Sequence, residues 1–146
     1  MKKWFALCCI LFLCVTPCSA VDQEVAGVIN NVNGKAFVER VGQVVDAVVG
    51  QKIYQEDILQ TGPDGSIGVI FRDDTVLSMG PDTRIAIDEF LFSPADGKLS
   101  FVSRVSKGTA AFLSGKIAKL APESVRVETP LAVLGVRGTR FLVAVD

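Results

Sequence analysis

The chain has 146 residues, 49% of them hydrophobic, with 15 basic and 16 acidic side chains, four cysteines and no histidine. A formal charge of −1 with scattered basic residues argues against a nucleic-acid partner, because duplex binding needs a concentrated cationic face that neutralises several phosphates. The lack of histidine removes Ser-His-Asp nucleophilic catalysis, and no other catalytic motif stands out.

Met1, Lys2 and Lys3 precede an apolar run from Trp4 to Val15, which gives way to Thr16-Pro17-Cys18-Ser19-Ala20. This order reads as a secretory signal peptide over residues 1–20, with a positive amino end, an apolar middle and small residues at the processing site. Cleavage is expected between Ala20 and Val21, so no stable membrane insertion follows it. A retained anchor is the competing reading, but a spanning helix needs about 20 apolar residues, and here Pro17 closes the run. Cys8, Cys9, Cys14 and Cys18 all fall in the leader, so the exported product has no disulfide framework and no cysteine metal site. Lipidation at Cys18 is a further alternative that fits poorly, because Pro17 stands where a small residue is wanted. Removal of the leader takes Lys2 and Lys3 with it, leaving 13 basic against 16 acidic side chains, a formal charge of −3. Residues 21–146 are the length of one domain that buries about two-thirds of its unfolded surface.

Within residues 21–146, glycines recur at short intervals between runs rich in Val, Ile, Phe and Thr, which is the spacing of an all-β protein. Strands are expected at residues 25–31 and 35–41. Residues 66–71 alternate, with Ile67, Val69 and Phe71 on one side, and Arg72-Asp73-Asp74-Thr75 turns the chain into a strand at 76–79. Residues 84–92 repeat the alternation, with Ile85, Ile87 and Leu91 set against Asp88 and Phe90. Pro94-Ala95-Asp96-Gly97 is the next turn, and strands follow at 98–105 and 109–113. A turn or two of helix fits within 114–120, and the last strands are expected at 124–128 and 139–145. Short antiparallel strands of this kind suit a sandwich, a partly open barrel or a degenerate β-solenoid-like stack. The first strand and the final apolar run, Phe141 to Val145, read as edges, and the latter must pair with another strand to stay soluble.

The acidic pairs Glu56-Asp57, Asp73-Asp74 and Asp88-Glu89 do not have the alternating oxygen spacing of a calcium loop and read as solvated turns, with no metal or other cofactor expected. The mature part has no Trp and a single Tyr54, which lowers the weight of a carbohydrate- or peptidoglycan-binding role. Gly135-Val136-Arg137-Gly138-Thr139 is a turn that could cradle a small anion with Arg137 and Arg140, but it has neither the Lys nor the following helix of a P-loop. The favoured reading is structural. If Phe141, Val143 and Val145 face inward, Arg137 and Thr139 share their side and the Arg137 guanidinium locks the turn.

Thr129-Pro130-Leu131-Ala132-Val133-Leu134-Gly135-Val136-Arg137-Gly138-Thr139-Arg140-Phe141, together with the segments around Gly27, Phe37, Gly50, Gly62 and Phe71 to Pro81, resembles the FecR-like domain family along nearly the whole mature chain. The resemblance implies an extracytoplasmic β-rich module. In the best-known members, that module sits in the periplasm behind a single-span anti-sigma regulator and receives a signal from an outer-membrane transporter. Here only Met1 to Lys3 precede the apolar run, so the expectation is narrower: a non-enzymatic module, periplasmic or secreted, that scaffolds or signals by binding another envelope protein. The partner and the oligomeric state are left open. The other functional readings are an envelope carbohydrate-binding module and a membrane-anchored signalling fragment.

Overall fold

The computed structural model describes residues 23–136 and 138–146. The leader with its Ala20-Val21 junction, and Arg137 with its locking role, lie outside them. The strands are β1 (Val25–Asn33), β2 (Ala36–Arg40), β3 (Gln43–Asp46), β4 (Lys52–Tyr54), β5 (Ile58–Thr61), β6 (Ser66–Phe71), β7 (Val76–Met79), β8 (Arg84–Ser93), β9 (Lys98–Leu113), β10 (Val125–Glu128), β11 (Val133–Gly135) and β12 (Arg140–Val145), with one short helix, α1 (Lys116–Leu120), after β9. They form a 12-stranded, mostly antiparallel sheet that curls into a half-barrel, with β9–β10 as its parallel pair.

β9 is the spine of the curl. Its first part pairs with β8 on one side and β10 on the other; its last part pairs with β7 and β12. β7 and β8 therefore lie end to end along one flank of β9, and β10 and β12 along the other. One half of the sheet reads β3-β2-β5-β8-β9-β10-β11 and the other β4-β1-β6-β7-β9-β12.

The bend between the halves is fixed by threonines. Register shifts where Arg84 and Ile85 pair with Lys107 and Val105, and Gly108 follows with φ of +90°. The Thr83 hydroxyl, fully buried, accepts the Thr109 N–H at 3.0 Å and faces the Pro81 carbonyl at 3.0 Å. Thr61 ties the facing strand to this corner: its hydroxyl donates to the Gly80 carbonyl at 2.6 Å and accepts the Thr83 N–H at 3.0 Å. Bulges with glycine are the usual means by which a strand passes from one sheet direction to another.

Inside the curl, Phe71, Phe90 and Phe101 meet with ring centroids 4.8 to 5.6 Å apart, two of the contacts edge-on. Ile29, Ile53, Leu59, Ile67, Leu77, Ile85, Ile87 and Ile117 are among the buried side chains packed around them.

The inward set Ile67, Val69 and Phe71 is as the alternation requires. Leu91 is not: a register shift between Ile87 and Glu89 inserts Asp88 as an extra residue, so Phe90 turns inward and Leu91 outward. The stretches at 98–105 and 109–113 are one strand, because Gly108 bends β9 without ending it. β1 is not an edge; it lies between β4 and β6.

Candidate functional site

The C-terminal segment singled out in the sequence builds a hairpin and a crossover. Thr129 closes the β10–β11 hairpin: its N–H donates to the Ala132 carbonyl at 2.8 Å, and its hydroxyl accepts the Ala132 N–H at 3.1 Å. Pro130 fixes φ at the first of the two tip residues. β11 pairs with β10 from Arg126↔Gly135 to Glu128↔Val133 and, among the described residues, with no strand on its other side. Hydrogen-bonded pairs alternate along an antiparallel ladder, so the closing Thr129/Ala132 pair turns the backbone groups of Val133 and Gly135 toward the open edge. The side chains there are apolar and wet: Leu131 is 96% exposed, Val133 62% and Leu134 37%.

After β11 the chain passes from one half of the sheet to the other. Val136 is buried in the core, Gly138 takes a φ of +122°, and the Thr139 carbonyl accepts the Ser114 N–H at 2.8 Å to start β12. Phe141 then stacks on Phe112 with centroids 4.9 Å apart. Gly135 has no positive φ and, among the described residues, no close neighbour for an added Cβ, and Thr139 and Arg140 are exposed. A shallow cleft of about 630 Å³ lies over this crossover, lined by Ala118, Pro122, Glu123, Gly135, Val136 and Gly138. Among the described residues that line it, the charged one is Glu123.

Two acids read as solvated turns are buried and structural. Asp57 is 1% exposed and accepts Arg40 Nε at 2.8 Å, Arg40 Nη2 at 2.6 Å and the Tyr54 N–H at 2.9 Å. The hydrogen bond to Asp57 holds the Arg40 guanidinium above its ordinary value, against the opposing effect of burial. Asp73 is fully buried; its carboxylate accepts the Thr75 N–H at 3.1 Å, the Thr75 hydroxyl at 2.7 Å and the Ile117 N–H at 3.3 Å, so it caps α1 from 44 residues away. Glu56 and Asp74 are exposed turn residues at φ of +73° and +69°, whereas Asp88 and Glu89 form no turn: both lie half-buried within β8 at its bulge, where the Asp88 carboxylate accepts Arg104 Nη2 at 2.8 Å. Asp-x-Thr is a local hint of the Asp73 arrangement, whereas nothing near Asp57 in sequence announces Arg40.

Residues 57–146 match the family model described as FecR protein. The match begins at the buried Asp57 and takes in β5 to β12, so β1 to β4 lie outside it and the matched region is shorter than the resemblance read along the sequence. Neither a curated protein nor a solved structure matches the chain.

Proposed function

We propose, since this chain belongs to the FecR family, that it is an exported, non-enzymatic interaction module of the bacterial envelope that binds another envelope protein at the β10–β11 hairpin. The observation that carries this reading is the open β11 edge, where the backbone of Val133 meets solvent beside the exposed Leu131 and Val133 side chains. A partner strand added there gains main-chain hydrogen bonds, and the flanking aliphatic side chains supply the apolar contact. Export is supported by the order of charge, apolar run and small residues over 1–20. A role without chemistry is supported by Asp57 and Asp73, whose carboxylates already hold structural bonds.

The experiment is a photo-cross-linking residue placed at Leu131 of the full-length chain in its bacterial host. One discrete protein adduct is expected, lost when Val133→Pro removes the edge N–H while thermal stability stays unchanged. An adduct indifferent to Val133→Pro, or pelleting of the purified protein with peptidoglycan in place of an adduct, refutes the reading. Amino-terminal sequencing of the product tests export separately, since processing predicts a chain starting at Val21.

A further inference from the structure

A second edge, distinct from the hairpin, runs along β12. β12 pairs with β9 in unbroken register from Arg140↔Leu113 to Val145↔Gly108 and, among the described residues, with nothing on its other side. The Thr139 carbonyl is bonded to Ser114 on the β9 side, so by the two-residue alternation Phe141, Val143 and Val145 direct their backbone groups to β9. Arg140, Leu142 and Ala144 direct theirs to the open edge. Proteins usually guard such an edge with proline, a bulge or an inward-pointing charge, and β12 has none of these. Phe141, Val143 and Val145 pack toward the core, while Leu142 stands 79% exposed on the outer face.

Read against itself in the antiparallel sense, the strand is complementary. For two copies to continue one sheet with inner faces together, each residue must face one of the same parity, so the twofold axis passes beside Leu142, Val143 or Ala144. Centred on Ala144, the pairing sets Leu142 against Asp146; centred on Leu142, it leaves Arg140 against Ala144. Centred on Val143, it sets Leu142 against Ala144, Phe141 against Val145, and Arg140 against Asp146. That register places aliphatic groups together on the outer face, continues the core seam on the inner face and matches opposite charges at both ends. It also makes Leu142 and Ala144, whose backbone groups face the edge, the hydrogen-bonded pair. Arg140 and Asp146 are both exposed, and neither makes an ion pair among the described residues.

We propose that β12 pairs antiparallel with β12 of a second copy about a twofold axis at Val143, with Arg140 of each copy facing Asp146 of the other. This assignment is independent of the β11 reading.

Sedimentation velocity on the protein expressed from the full sequence tests it. A concentration-dependent dimer at micromolar concentrations is expected. Arg140→Asp and Asp146→Arg, each at an exposed position, should each raise its dissociation constant about tenfold or more, because a like-charge pair then appears at each end of the seam. The double variant should recover the original dimer. A monomer throughout, a dimer indifferent to either single reversal, or a double variant that stays weak overturns the proposal. Val133→Pro should leave the dimer intact, so failure of the hairpin reading is told apart from failure of this one.

Discussion

Gly108 lies against Thr83 so closely that a Cβ on the glycine would overlap the Thr83 hydroxyl oxygen and come within 2.5 Å of its Cα. This contact is the hinge of the fold, because β9 changes from one half of the sheet to the other at Gly108, and Thr83 anchors the break between β7 and β8 at the same level. Gly108→Ala meets both a steric conflict and a φ of +90°. It should cost about 2 kcal/mol or more, seen as a fall in the denaturation midpoint with no change in the unfolding slope. An unchanged midpoint would mean the corner is not held by this approach.

Ser103 offers the opposite sign. Its hydroxyl is buried and, among the described residues, has no hydrogen-bond partner; it lies in a cross-strand row between Ile87 and Val127, both of which are fully buried. A buried hydroxyl without a partner carries its full desolvation cost. Ser103→Ala should therefore stabilise the protein by about 1 kcal/mol, measured by urea denaturation. A loss of stability would show that the hydroxyl is bonded.

The Arg40–Asp57 pair should respond unequally to removal of its two members. Arg40→Ala strands a carboxylate that is 1% exposed, whereas Asp57→Ala leaves a guanidinium that is 38% exposed and lies 4.6 Å over the Tyr54 ring. The first should cost about 3 kcal/mol or more and the second roughly half of that, because water can reach Arg40 but not Asp57. Equal losses in calorimetry would contradict this. The Arg40 value is raised in the folded state, so its contribution is complete below the unfolded value and lost only as pH rises through the folded one. Since that lies in strong alkali, the arginine's share of the difference should not change across neutral pH.

What could be read in the sequence was what local chemistry determines. The alternation over Ile67, Val69 and Phe71 gave the inward face of β6, and Thr129-Pro130 marked a turn that the structure closes through the threonine hydroxyl. Long-range effects were not legible. Asp73 is buried because α1, 44 residues on, brings the Ile117 N–H to it, and Leu91 turned outward because one extra residue at Asp88 reversed the parity. β11 has three residues, too few for a period to appear. The final apolar run reads as an edge strand in need of a partner, but which of its backbone groups face β9 and which stay open comes from the Thr139–Ser114 bond.

The β2–β3 hairpin tests how far backbone preference alone sets stability. Its tip is Val41-Gly42, with φ of +50° and +75°, and Val41 is 96% exposed. Paired positive φ values belong to the tight hairpin turn that favours Asn-Gly, and a β-branched side chain is the least suited to the first position. An exposed valine gains little from burial to offset that cost. Val41→Asn should therefore raise the unfolding free energy by about 1 kcal/mol, since asparagine tolerates the left-handed region. Because β3 pairs with β2 alone among the described residues, the gain should be concentrated in slower amide exchange across the Phe37↔Asp46 to Arg40↔Gln43 ladder. Unchanged exchange there, with unchanged stability, would show that the tip does not hold Val41 in the left-handed conformation.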